Sequence, residues 1–140
     1  METGKRPLMK GPETVLFDND GILFVLTEDA NLVSLTDFEN KNESSDDDTT
    51  KMMMTAKTTV VANLGMGRPL GGTFAPDGTL YIADAILGLT RIKNPKDPKS
   101  KLEIVASTVM DAGEETRIFF ADDVVIGPKT GMIYFTDGTS

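Results

Sequence analysis

The feature that most constrains this chain is a stretch that repeats itself at long range. Gly11–Leu35 (GPETVLFDNDGILFVLTEDANLVSL) aligns without a gap over 25 residues with Arg68–Ile92 (RPLGGTFAPDGTLYIADAILGLTRI), 57 positions further on. Pro12 falls on Pro69, Phe17 on Phe74, Asp20-Gly21 on Asp77-Gly78, Leu23 on Leu80 and Leu32 on Leu89. Asn31 falls on Gly88; both residue types tolerate the left-handed backbone of a tight turn, so each is expected to supply one. A third copy begins near Phe120 with Asp122–Ile126, a turn over 127–131 that is one residue longer, and Met132–Thr136.

Each unit reads as short strands separated by turns. In the first, Thr14–Phe17 leads through Asp-Gly, a hairpin signal, into Ile22–Thr27; Leu32–Leu35 and Thr59–Leu64 complete four strands. The second unit gives Gly71–Ala75, Thr79–Ala83, Leu89–Ile92 and Leu102–Ser107. The second strands (ILFVL, TLYIA, MIYFT) are apolar nearly throughout, the pattern of a strand covered on both faces. Four-stranded units that repeat and bury both faces are what stacked propeller blades require. A β-sandwich also has short strands, but needs no unit-to-unit similarity at a fixed offset.

The expected fold is therefore all-β, a partial β-propeller of about two and a half four-stranded blades. Residues 1–10 form an N-terminal tail, 11–67 the first blade, 68–119 the second and 120–140 an incomplete third. An acidic, low-complexity insertion over 37–57 (DFENKNESSDDDTTKMMMTAK) interrupts the first blade and is expected to be a mobile loop. Asn94–Lys101 (NPKDPKSK) takes the equivalent place in the second as a shorter turn.

Composition removes several chemistries. The 140 residues include no cysteine and no histidine, so thiolate chemistry, an imidazole base and imidazole metal ligands are all excluded. A net charge of −8 argues against nucleic acid, which needs clustered Lys and Arg. Much of that charge is local to Asp37, Glu39, Glu43, Asp46, Asp47 and Asp48. No apolar run approaches the ~18 residues of a membrane span, and no apolar segment follows the basic N-terminus as a signal peptide would require.

Three segments, GPETVLFDNDG, GRPLGGTFAPDGTLYIADAILGL and ADDVVIGPKTGMIYFTD, resemble the family of strictosidine synthase-like and adipocyte plasma membrane-associated proteins. More distantly they resemble the gluconolactonase and paraoxonase propellers. The resemblance implies a six-bladed ring with its active site at one end of the central channel. At ~45–55 residues per blade such a ring needs about 300 residues, so this chain reads as an N-terminal part of one. In metal-dependent relatives a Glu of a Gly-Pro-Glu segment and an Asn of an Ala-Asn-Asp segment help hold a channel Ca²⁺. Glu13 matches the first; Asp122, in Ala121-Asp122-Asp123, stands where the second has Asn. The repeat aligns the two positions with each other and with Leu70, just before the first strand of each unit.

The function implied for the parent protein is arylesterase-like hydrolysis of esters or lactones, with the cation polarising the carbonyl of a small-molecule substrate. The alternatives are condensation of an amine with an aldehyde, as in the metal-independent branch whose key glutamate would lie beyond Ser140, or a non-catalytic scaffold. For the 140 residues alone, inactivity and self-association through open strand edges are expected. Catalytic residues are not assigned, and relatives of this kind are often endomembrane or secretory. Asp84 and Asp137 share one repeat position, where the first unit has Thr27, and are expected to bond turn amides. Arg68, before Pro69, reads as a loop residue, with a channel-facing side chain as the alternative, and Met52–Met54 reads as insertion composition.

Overall fold

The computed structural model describes residues 9–44 and 50–138, and every regular element among them is a β-strand. β1 (Pro12–Phe17), β2 (Leu23–Thr27), β3 (Asn31–Ser44) and β4 (Thr50–Asn63) form one antiparallel meander. β5 (Pro69–Phe74), β6 (Leu80–Asp84), β7 (Gly88–Ile92) and β8 (Leu102–Ala106) form a second of the same order. A separate hairpin, β9 (Thr108–Asp111) and β10 (Glu114–Arg117), precedes a two-stranded sheet of β11 (Ala121–Ile126) and β12 (Ile133–Asp137).

The repeat seen in the sequence is repeated in hydrogen bonds. In the turn after β1, Asp18 N–H donates to Ile22 O and Gly21 N–H to Asp18 O; after β5, Ala75 and Gly78 do the same with Thr79 and Ala75. After β11, Gly127 N–H donates to Met132 O and Gly131 N–H to Gly127 O, so the extra residue is absorbed inside the turn. At the other end, Glu28 N–H reaches Gly11 O, Ala85 N–H reaches Arg68 O and Gly138 N–H reaches Phe120 O, each at 2.8–2.9 Å. One design is used three times.

Packing explains the apolar second strands. Leu80 and Ile82 of β6 join Leu16, Phe24, Leu26 and Leu32 in a cluster between the first two sheets. Ala83, the next residue along, turns the opposite way and joins Ala121, Val124, Leu89 and Ile118 in a second cluster. Because side chains alternate across a strand, a strand sandwiched in this way must be apolar on both faces. In β12, by contrast, Ile133 and Phe135 pack inward while Tyr134 is exposed. Two-face burial was expected of all three strands; β12 has a sheet on one face only among the described residues.

Two local expectations are corrected, and one element is new. The insertion over 37–57, read as a loop, instead extends β3 and β4 into a paired ribbon that reaches Ser44 opposite Thr50; residues 45–49 of it, like 1–8 of the tail, lie outside the described residues. Low polarity is no requirement for a two-stranded ribbon whose ladder satisfies its own backbone. Gly88 adopts φ +88°, but in the first unit the left-handed residue is Ala30 (φ +57°), not Asn31. Asn31 is held extended by its N–H bond to Thr27 Oγ1 and by Asn63 Nδ2, which donates to its side-chain oxygen. The β9–β10 hairpin was not anticipated. Its turn uses Ala112 and Gly113 at φ +49° and +90°, and Ala is a weak signal for such a turn.

Polar contacts set the two large sheets in register. Asn19 Nδ2 donates to Ala75 O and Pro76 O at 3.0 and 3.1 Å, tying the turn after β1 to the turn after β5. Lys96, between β7 and β8, places Nζ 2.6 Å from Asp18 Oδ2 and 5.8 Å from the centre of the Phe24 ring. Burial pushes the Asp18 carboxyl up, but the Lys96 hydrogen bond and the Ile22 and Asp20 amides outweigh it, so Asp18 titrates below its ordinary value of 3.8. A lowered folded pKa gives stability that is full above the unfolded value and is lost as the pH falls through the folded one. Urea midpoints should therefore drop between about pH 5 and about pH 3, and drop less in Lys96→Met, which removes the interaction.

Candidate functional site

Three first strands stand side by side, with β5 between β1 and β11. Each contains a bulge near its start. The register shifts between Pro12 and Thr14, between Pro69 and Gly71, and between Ala121 and Val124. The residues at the shift are Glu13, Leu70, and the pair Asp122 and Asp123. A bulge puts one extra residue into a strand and re-aims its side chain, so the three equivalent positions share a backbone irregularity as well as an alignment.

Glycine sets how closely the strands approach. A Cβ on Gly71 would lie 2.6 Å from Asp122 O and 2.7 Å from Asp123 Cα. Both are backbone positions of β11, which cannot swing aside. Gly67 is similarly crowded: a Cβ there would overlap the Asp84 carboxylate. The starts of β5 and β11 are thus in direct backbone contact because position 71 has no side chain.

The charged groups at this end include Glu13, Arg68, Asp122 and Asp123, with Asp84 and Asp137 on the paired second strands. The Arg68 guanidinium lies 3.9 Å from Glu13 Oε1, linking the starts of β1 and β5. Both side chains are partly exposed, so the pair contributes little to stability. Arg68 is thus more than a loop residue; its position directly before a strand equivalent to that of Glu13 was the available signal. Asp123 Oδ1 accepts the Val124 N–H at 2.8 Å, while the Asp123 N–H donates to Thr136 Oγ1. The Asp122 carboxylate is exposed and takes no hydrogen bond among the described residues.

Asp84 is buried and accepts the Ile86 and Leu87 amides on one oxygen, both at 2.9 Å, as a turn residue should. Thr27 does the equivalent work with its hydroxyl, accepting from Asn31 and donating to Asp29. Asp137 accepts the Phe119 and Phe120 amides and so anchors the entry to β11; residues 139 and 140 of the turn after it lie outside the described residues. None of the three points to catalysis.

A calcium ion takes about six to eight oxygen ligands. Glu13 and Asp122 offer oxygen of the right hardness, yet no three acidic groups gather in metal-holding geometry among the described residues. Glu13 also already faces a cation, Arg68. On the residues described here the donor set is too small for the ion.

No protein-family model matches the chain. Individual relatives do. It is 30% identical over 132 residues to adipocyte plasma membrane-associated protein of Rattus norvegicus, covering 94% of this chain and 32% of that protein. The Homo sapiens protein of the same name is 31% identical over 130 residues, covering 93% of this chain and 29% of that one. Strictosidine synthase-like 2 of Arabidopsis thaliana is 39% identical over 75 residues, covering 53% and 18%. The chain belongs to this family. It spans about a third or less of the length of these relatives. No helix among the described residues is long and apolar enough to cross a membrane.

The close approach at Gly71 gives a direct check. Gly71→Ala should destabilise the chain by about 1–3 kcal/mol, the usual cost of forcing a methyl into filled space. Gly21→Ala, which meets no neighbour but has φ +78°, should cost less. Chemical denaturation of both variants measures the difference.

Proposed function

We propose that the sheets of this chain are consecutive blades of a six-bladed β-propeller, and that the end bearing Glu13, Arg68 and Asp122 faces the chemistry. The parent activity in this reading is hydrolysis of an ester or lactone. The observation that carries it is the bulge repeated at the start of β1, β5 and β11, which supports equivalent placement of Glu13 and Asp122 around one axis.

In this reading Glu13 and Asp122 each contribute carboxylate oxygen to a hard-cation site whose other ligands come from further blades. A calcium ion bound there would polarise a carbonyl and stabilise the oxyanion that forms on attack. The chain's own part is to fix the two carboxylates at the starts of β1 and β11, on either side of β5. Asp in place of Asn at position 122 keeps the donor oxygen and adds a negative charge. Arg68 supplies a half-exposed counter-charge to Glu13.

That last contact also favours a second reading. An arginine already opposite Glu13 suits a metal-independent site, as in an amine–aldehyde condensing enzyme, or a scaffold with no catalysis. Calcium separates the two. The 140-residue chain should show no calcium-dependent melting shift and no ester turnover. Joined to the remaining blades of a relative, it should melt higher with calcium, and Glu13→Gln should remove the increase. An unshifted melt in the joined protein would retire the metal reading, and metal-stimulated turnover by the 140 residues alone would show that the site needs no further blades.

A further inference from the structure

The first large sheet carries an arm that the second lacks. β2 meets β3 only from Leu23–Leu35 to Leu26–Leu32, whereas β3 and β4 stay paired out to Ser44–Thr50. Beyond Leu35, among the described residues, the edge of β3 that faced β2 has no strand against it. Such an edge is a row of backbone donors and acceptors available for pairing. A bulge between Thr36 and Glu39, with Asp37 at φ +52°, bends the ribbon where it leaves the sheet.

At that same point lies an apolar groove of roughly 370 Å³, lined by Phe17, Ile22, Leu23, Leu35 and Phe38. Phe17 is 64% exposed and Phe38 49%, unusual for rings that have sheet to pack on. The groove sits at the Leu23 end of β2, where an added strand would take over the edge of β3.

Charge selects the occupant. Just beyond Leu35, residues 36–40 of β3 carry Asp37 and Glu39 and no basic side chain. Pairing this edge with the same edge of a second copy would set acids against acids, which destabilises a ladder. A strand bearing lysine or arginine meets complementary charge instead. Main-chain pairing would supply affinity and the groove would supply selection, as in strand-addition recognition generally.

We propose that the open edge of β3 beyond Leu35 takes up an extended, basic polypeptide segment of another protein as an added strand, with an apolar side chain of that segment seated between Phe17 and Phe38. The acidic decoration then has two roles: it blocks self-pairing and it admits a partner of opposite charge.

The test uses the full 140-residue chain and a dye-labelled peptide that alternates lysine with valine and begins with leucine, followed by fluorescence anisotropy. The same peptide with glutamate for lysine is the comparison. The lysine peptide should bind and the glutamate peptide should not, with affinity falling as salt rises. Asp37→Asn combined with Glu39→Gln should weaken binding roughly fivefold, the effect of two exposed charges. Phe38→Ser should weaken it independently of salt. Replacing residues 37–57 by the short Asn94–Lys101 loop should abolish binding while the melting transition persists. Equal binding of both peptides, or binding that survives the shortened ribbon, would overturn the proposal. So would a concentration-dependent dimer that excludes the lysine peptide, since the occupant would then be a second copy.

Discussion

Everything in this molecule depends on the need of a middle strand to be covered on both faces. β6 sends Leu80 and Ile82 to one side and Ala83 to the other, and neither side has enough apolar surface within its own sheet to shield them. At ~25 cal/mol per Å² of apolar surface removed from water, the favourable term comes from stacking sheet on sheet, not from the meander itself. The sheets are therefore not independent. Each is a half-built interior until its neighbour arrives.

Stacking alone would permit the sheets to slide, because apolar contact is non-directional. The directional terms sit at the two ends. At one end Asp18, Asn19 and Lys96 bind turn to turn between the first and second sheets, with Phe24 and Phe74 rings 5.4 Å apart beneath them. At the other, Gly71 lets β5 touch the backbone of β11, and Arg68 reaches Glu13 across from β5 to β1. The first contact set holds the sheets at a fixed height; the second consequently brings acidic and basic groups of separate units to one place. Where those groups sit is a result of the packing.

Much of this was legible in the residues. Strand positions followed from turn chemistry, since Asp20-Gly21 and Asp77-Gly78 place a glycine at positive φ in equivalent turns. The candidate pair Glu13 and Asp122 came from the family resemblance; the alignment of units gives the two the same position, and the bulges give that alignment a backbone counterpart. What was not legible was set by partners distant in sequence. Ladder pairing between residues 36–44 and 50–57 overrode a composition that reads as loop. Whether Ala30 or Asn31 turns left-handed was decided by Thr27 and Asn63. The Asp18–Lys96 contact joins residues 78 apart, and no local pattern announces it.

The dependence of one sheet on the next has a consequence during synthesis. Nearly all pairing within the first sheet is complete once Asn63 has left the ribosome. Yet the cluster that holds Phe24 and Leu26 is completed by Leu80, Ile82 and Ile92 of the second sheet, with Phe74 against the Phe24 ring. For the time it takes to add some thirty residues, roughly a few seconds at typical elongation rates, the nascent protein displays a formed but naked apolar wall. The chain must therefore grow past each sheet before that sheet can stop being sticky.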